Sequence, residues 1–134
     1  MYTFTLPIYY VQEFKRKDPV RHLVGMNWYN SAHYSLKNTV KQYFHSLVAD
    51  QCWEIPHIDQ FTVTYTIHYK HASTDCSNVA AVIEKFFLDG LKSAHVITDD
   101  NNKYHKGSSW TVGTQDKLNP RVEITLIPLY PQEP

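Results

Sequence analysis

The run from Phe61 to Lys70 constrains this chain most. Phe61, Val63, Tyr65, Ile67 and Tyr69 alternate without a break with Thr62, Thr64, Thr66, His68 and Lys70. Successive side chains of a strand point to opposite faces, so this is a strand with one buried face and one polar face. Something must cover the apolar face. Leu36, Val40, Tyr43, Phe44, Leu47 and Val48 recur along one side of a helix, which predicts a first helix over about 31–50 with Ser31 as its N-cap. A second helix is predicted over 77–93. It is apolar nearly all round, through Val79, Ala80, Val82, Ile83, Phe86, Phe87 and Leu91, so it must be deeply packed.

The remaining segments fit around these three. Tyr2 to Val11 reads as a strand interrupted at Pro7, and Glu13 to His22, with Asp18-Pro19, as a charged loop. Leu23 to Tyr29 reads as a short strand, and Lys103 to Val112 and Arg121 to Ile127 as two closing strands. The expected fold class is α/β (α+β): a single two-layer domain over 1–134, with two main helices on a mixed sheet and a frayed tail over 128–134. A chain of 134 residues can bury ~68% of its unfolded surface, enough for one real core.

Composition narrows the function classes. No stretch approaches the ~20 apolar residues of a membrane span, and the first residues lack a signal layout, so the expectation is a soluble, cytoplasmic protein without a membrane partner. Thirteen basic against thirteen acidic residues argue against indiscriminate polyanion binding and leave room for a local basic face. Cys52 and Cys76 sit in no metal or redox motif and are expected as free buried thiols.

The second helix carries the chemistry. Asn78, Lys85, Asp89 and Lys92 fall within about 40° of Asn78 around it, a polar stripe on a buried helix. The bland reading is a solvated face, with Lys85 and Asp89 an i,i+4 pair. Asp75 precedes the helix, and Asp99 and Asp100 follow it. If the loop returns them to the same sheet edge, Asp75 and one of that pair could share a Mg²⁺ ion, since clustered carboxylates repel without a cation. The alternative is that Asp75 caps the helix and Asp99–Asn102 forms a β-turn.

The order Asp75-Cys-Ser-Asn78, then Lys85, Asp89-Gly-Leu91, then Asp99-Asp100 resembles the RusA-type Holliday junction resolvases. Their signature runs D-x-D-N, a helix with Lys and D-x-L, then D-D. The resemblance implies a Mg²⁺-dependent endodeoxyribonuclease, with Mn²⁺ as a substitute, that resolves four-way junctions or other branched DNA in recombination and repair. It implies Asp75 and Asp100 as catalytic metal ligands, Asp99 as an adjacent acid and Lys85 as the helix lysine. It also implies a homodimer, for two incisions, and a bacterial, phage or prophage setting. Ser77 stands where the second acid belongs, and the interval from Asn78 to Lys85 is longer by four residues, about one turn or ~6 Å. Asp89 or Asp99 is the candidate replacement ligand, with Ser77 and Asn78 in support.

Lys15, Arg16, Lys70, His71 and Lys103 are the candidate DNA contacts, and Lys17, Arg21, Lys37, Lys41 and Lys106 extend the set. Tyr69 and Tyr104 beside them suit stacking on unpaired bases. Trp28, Tyr29 and Tyr34 are candidate exposed aromatics for a dimer contact. Two other readings stand beside the nuclease: a branched-DNA or single-strand binder of the same fold that no longer cuts, and an unrelated protein-interaction module.

Overall fold

The computed structural model describes residues 1–129. Their elements run β1 (Tyr2–Pro7), β2 (Tyr9–Gln12), β3 (Val20–Leu23), α1 (Met26–Ser31), α2 (Tyr34–Gln51), β4 (Gln60–His68), α3 (Cys76–Ser93), β5 (His105–Val112) and β6 (Arg121–Leu129). Four strands form the main sheet in the order β1-β6-β4-β5, and β2 and β3 form a separate two-stranded ribbon. β4 pairs antiparallel with β6 and parallel with β5, so the sheet is mixed, as expected.

β4 keeps the alternation of its sequence. Phe61, Val63, Tyr65 and Ile67 are buried, and the intervening polar residues stay half-exposed. α3 lies over that buried face and contributes Val79, Ile83, Phe86, Phe87 and Leu91 to the core. Phe87 meets Phe4 edge-on at 4.9 Å and Tyr65 at 6.2 Å, so one ring joins β1, β4 and α3. α2 packs beside α3 through Val40, Phe44 and Val48, with Phe44 stacked on Phe86 at 5.3 Å. Each fully buried side chain of this size contributes about 1.5–3 kcal/mol. No helix is long and apolar enough to cross a membrane among the described residues.

Four details differ from the sequence expectation. The chain does not continue as one strand through Pro7: Tyr2–Pro7 joins β6, while Tyr9–Gln12 leaves the main sheet to pair with Val20–Leu23, inside the expected loop. Leu23 to Tyr29 is not a strand: β3 ends at Leu23, Gly25 is the N-cap of α1, and α1 begins at Met26. Ser31 closes α1, its hydroxyl donating to Asn27 O at 2.8 Å, and the cap of α2 is His33, whose ring nitrogen accepts from Ser35 N. β6 continues through Pro128 to Leu129. β1 has already ended at Tyr2 opposite Leu126, so the missing proline N–H faces no strand. Residues 130–134 of the expected tail lie outside the described residues.

Both cysteines are free, Cys76 buried and Cys52 half-buried. Burial pushes the Cys52 thiol up to about 11. Trp28 and Tyr29 are half-buried rather than exposed: Trp28 packs near His22, and Tyr29 near Phe86. Among the three aromatics Tyr34 alone stands in solvent, at 76%.

Gly90 sets the distance between the two long helices. A Cβ there would lie 2.9 Å from Val48 Cβ and 3.1 Å from both of its methyls. Gly90→Ala is therefore expected to lower stability by about 1–3 kcal/mol in urea unfolding, despite the better helix propensity of alanine. Adding Val48→Ala should make the double variant less destabilised than the sum of the singles. Strict additivity would show that the helices do not touch there.

Candidate functional site

α3 separates two polar clusters. At its N-terminus Asp75 is the cap: one carboxylate oxygen accepts from Ser77 Oγ at 2.7 Å and Asn78 N at 3.3 Å, the other from Asn78 Nδ2 at 3.0 Å. The hydroxyl of Ser77 and the amide of Asn78 hold this carboxyl below its ordinary range. Asp75 borders a cleft of about 480 Å³ that the β2–β3 ribbon closes on the opposite side with Tyr9, Arg21 and His22. Asn27, Trp28 and His71 complete its polar and aromatic lining. Arg21 stacks over the Tyr9 ring at 4.8 Å, and His22 Nε2 lies 2.8 Å from Gln12 Oε1.

Lys85 lies about two turns along α3 from Asn78. It does not pair with Asp89. Its ammonium sits 5.9 Å from the Tyr29 ring, and the ammonium of Lys37 lies 5.0 Å from the same ring. Neither lysine has a carboxylate partner among the described residues.

The second cluster lies beyond the C-terminal end of α3. Lys92 Nζ is 3.4 Å from Asp99, 3.7 Å from Asp100 and 4.0 Å from Asp89, and Lys41 approaches Asp89 at 3.8 Å. Asp99 also accepts from Asp100 N at 2.7 Å and from Asn101 Nδ2 at 3.3 Å. That backbone N–H and the neighbouring Lys92 hold the Asp99 carboxyl low. Burial opposes the charge on Lys92, but Asp100 and Asp99 outweigh it and raise its affinity for a proton.

The two clusters do not meet within one chain. α3 has 18 residues, which at the usual rise is about 27 Å. Asp75 is therefore at one end of the domain, and Asp89, Asp99 and Asp100 are at the other. Asp89 and Asp99 do not supply a second ligand beside Asp75, and Ser77 is spent on Asp75 itself. Among the described residues no three His, Cys, Asp or Glu side chains converge on one point. Asp75 caps α3 as the alternative reading has it, whereas the turn beyond the helix is closed over Asn101–Tyr104 rather than Asp99–Asn102, by Tyr104 N donating to Asn101 O at 3.0 Å.

The candidate DNA-binding residues divide between these ends. His71 lines the Asp75 cleft, and Lys70 precedes it at the end of β4. Lys15, Arg16 and Lys17 are exposed in the connection of the ribbon, with Lys17 Nζ 4.0 Å over the Phe14 ring. Lys103 sits over Tyr104 at 5.3 Å, close in sequence to Asp99 and Asp100. Tyr9, His22, Asn27 and Trp28 were not singled out from sequence as site residues, since nothing local announces a ribbon folding back over a helix terminus. No protein-family model matches the chain, and no curated protein matches its sequence. The family resemblance rests on its motif residues alone.

The depressed carboxyls set the acid limit of stability. A carboxyl whose folded pKa lies below its unfolded value stabilises above the unfolded pKa, and loses that contribution as pH falls through the folded one. Asp75, Asp99, Asp116 and Glu123 are all of this kind. Thermal unfolding is expected to weaken below about pH 4. Asp75→Ala, which loses the cap, should be less stable than wild type at pH 7, with the gap narrowing toward pH 2.5. An equal gap at both pH values would show that the charge of Asp75 contributes nothing to folding.

Proposed function

We propose that the protein is a Mg²⁺-dependent endonuclease that cuts branched DNA, four-way junctions above all, and works as a homodimer on bacterial or phage DNA in recombination and repair. The observation that carries this reading is the Asp75 cleft, where a carboxylate, Arg21 and His71 line one space of about 480 Å³. Arg21 suits a phosphate through its planar fork, and its stacking on Tyr9 orients that fork. Trp28 and Tyr9 offer faces for an unstacked base. Lys37 and Lys85, unpaired around Tyr29, suit the phosphates that follow.

Since α3 keeps Asp75 from Asp99 and Asp100 in one chain, the ion would be held between subunits, by Asp75 of one and Asp99 or Asp100 of the other. Mg²⁺ takes one or two carboxylates and completes its shell with water and substrate phosphate, so two acids suffice; Mn²⁺ would substitute. When bound, such an ion neutralises charge on the scissile phosphate and acidifies an attacking water. The chain's own part is to hold the backbone in line and to place Lys85 near the developing charge.

Subunit mixing tests this. Asp75→Asn and Asp100→Asn should each abolish cleavage of a labelled four-way junction while leaving its binding intact. Heterodimers of the two variants should recover cutting, because one of their two shared sites contains both acids. Heterodimers that form but do not cut would overturn the shared site. Wild-type rates in both single variants would overturn the metal reading altogether.

A second reading has one observation in its favour: both oxygens of Asp75 are engaged by Ser77 and Asn78, and the family's second acid is a serine. A branched-DNA binder that no longer cuts would bind junctions with an affinity falling steeply between 50 and 200 mM salt, by about 10³-fold for six phosphate contacts, and would leave them whole in Mg²⁺.

A further inference from the structure

β5 is an edge strand of the main sheet, and the space between it and α3 is not filled by packing. Ser77, Ala81 and Glu84 follow one another at helical spacing, so they share the flank of α3 that faces β5. Val63 pairs with Ser108 and Tyr65 with Trp110, and paired residues carry their side chains on the same face of a sheet. Ser108 and Trp110 therefore face the helix. The short side chains of Ser77 and Ala81 leave a groove of about 190 Å³ between helix and strand.

Tyr65 lines this groove. It is 2% exposed, and its hydroxyl is buried without a hydrogen-bond partner among the described residues. Buried polar groups are normally paired, so a lone hydroxyl beside an open groove marks a place for a ligand atom. Burial, and after it the charge of Glu84, pushes this hydroxyl well above its ordinary range. Glu84 thus stands near Tyr65 without meeting it in hydrogen-bond geometry, and it enters no ion pair among the described residues. No basic side chain lines the groove; the ammonium of Lys85, next in sequence, lies near Tyr29. Ser77 already donates its hydroxyl hydrogen to Asp75 at 2.7 Å, so it offers the groove only an acceptor oxygen. Trp110, 44% exposed, supplies an aromatic wall.

We propose that this groove binds a guanidinium group, either of a small free compound or at the tip of an arginine side chain. A guanidinium carries five N–H donors in one plane and no acceptor, the complement of an acceptor-rich site with one negative charge. Glu84 accepts two of these donors side by side, the oxygens of Tyr65 and Ser77 accept others, and the flat cation lies on the Trp110 ring. The groove is smaller than the ~300–1,000 Å³ of pockets that enclose a whole drug-sized ligand, so its ligand enters by one group. The site needs neither metal nor DNA and is independent of the nuclease reading.

Nuclear magnetic resonance of the isotope-labelled chain, titrated with methylguanidinium chloride against sodium chloride of equal ionic strength, tests this. The probe should shift the Trp110 indole N–H and the amides of Ala81 and Ser108, with an affinity on the order of millimolar. Urea, which is planar but neutral, should leave them in place. Glu84→Gln keeps the shape, removes the charge and should weaken binding about tenfold or more. Tyr65→Phe should weaken it too without loss of thermal stability, since the hydroxyl has no partner in the fold. Asp99→Asn, at the far end of α3, should bind as wild type does. Tighter binding of an extended arginine-containing peptide than of methylguanidinium would assign the group to a partner protein, and equal or weaker binding to a free compound. No shift at about 50 mM methylguanidinium, or undiminished affinity in a folded Glu84→Gln variant, would overturn the proposal.

Discussion

The parallel pairing of β4 with β5 is the constraint from which the rest of the structure follows. Two parallel neighbours cannot be joined by a tight turn; the chain has to leave one end of the sheet and re-enter at the other. α3 makes that return, so its length is tied to the length of the strands beneath it. Asp75, where β4 hands over to the helix, and Asp99, where the helix hands over to β5, are then held at opposite ends of the domain. Their separation is a topological consequence, and no loop rearrangement short of unpairing β5 would close it.

The same crossover explains why α3 is so apolar. A helix laid along the middle of a sheet, with α2 on one flank and α1 against its first half, buries far more than one stripe. Gly90 completes this arrangement by letting Val48 of α2 come within van der Waals reach of the helix backbone. What stays polar lies at the two ends, on the flank facing β5 with Ser77 and Glu84, and at Lys85 beside Tyr29.

Much of this was legible in the sequence, and the reasons are local. β4 and α2 declare themselves through periods of 2 and 3.6, and α3 through a run of apolar residues too long for a strand and preceded by a capping aspartate. Pairing partners are not local. Tyr9–Gln12, like Tyr2–Pro7, is rich in aromatic and β-branched residues, and only the whole fold sends one to β3 and the other to β6. Nor does the polar stripe Asn78, Lys85, Asp89, Lys92 reveal that Asn78 lines a cleft and Lys85 lies over Tyr29, while the last two join an ion cluster. Angular position around a helix is readable from spacing. Which end of the domain a residue reaches depends on whether the neighbouring strand runs parallel.

At the C-terminal end of α3 the charges are nearly satisfied. Lys92 holds three carboxylates of like sign together, and Asp99 and Asp100 raise its own proton affinity in return. A cation arriving there competes with an ammonium already in place, so the acidic end alone is a poor metal site. Asp75 at the other end forms no ion pair among the described residues, and both of its oxygens are engaged by Ser77 and Asn78. In the proposed homodimer, Asp75 of one subunit would complete the acidic end of the other. An enzyme built this way would have no active site as a monomer. Its activity would then depend on protein concentration as well as on substrate, which a site contained in one chain would not show.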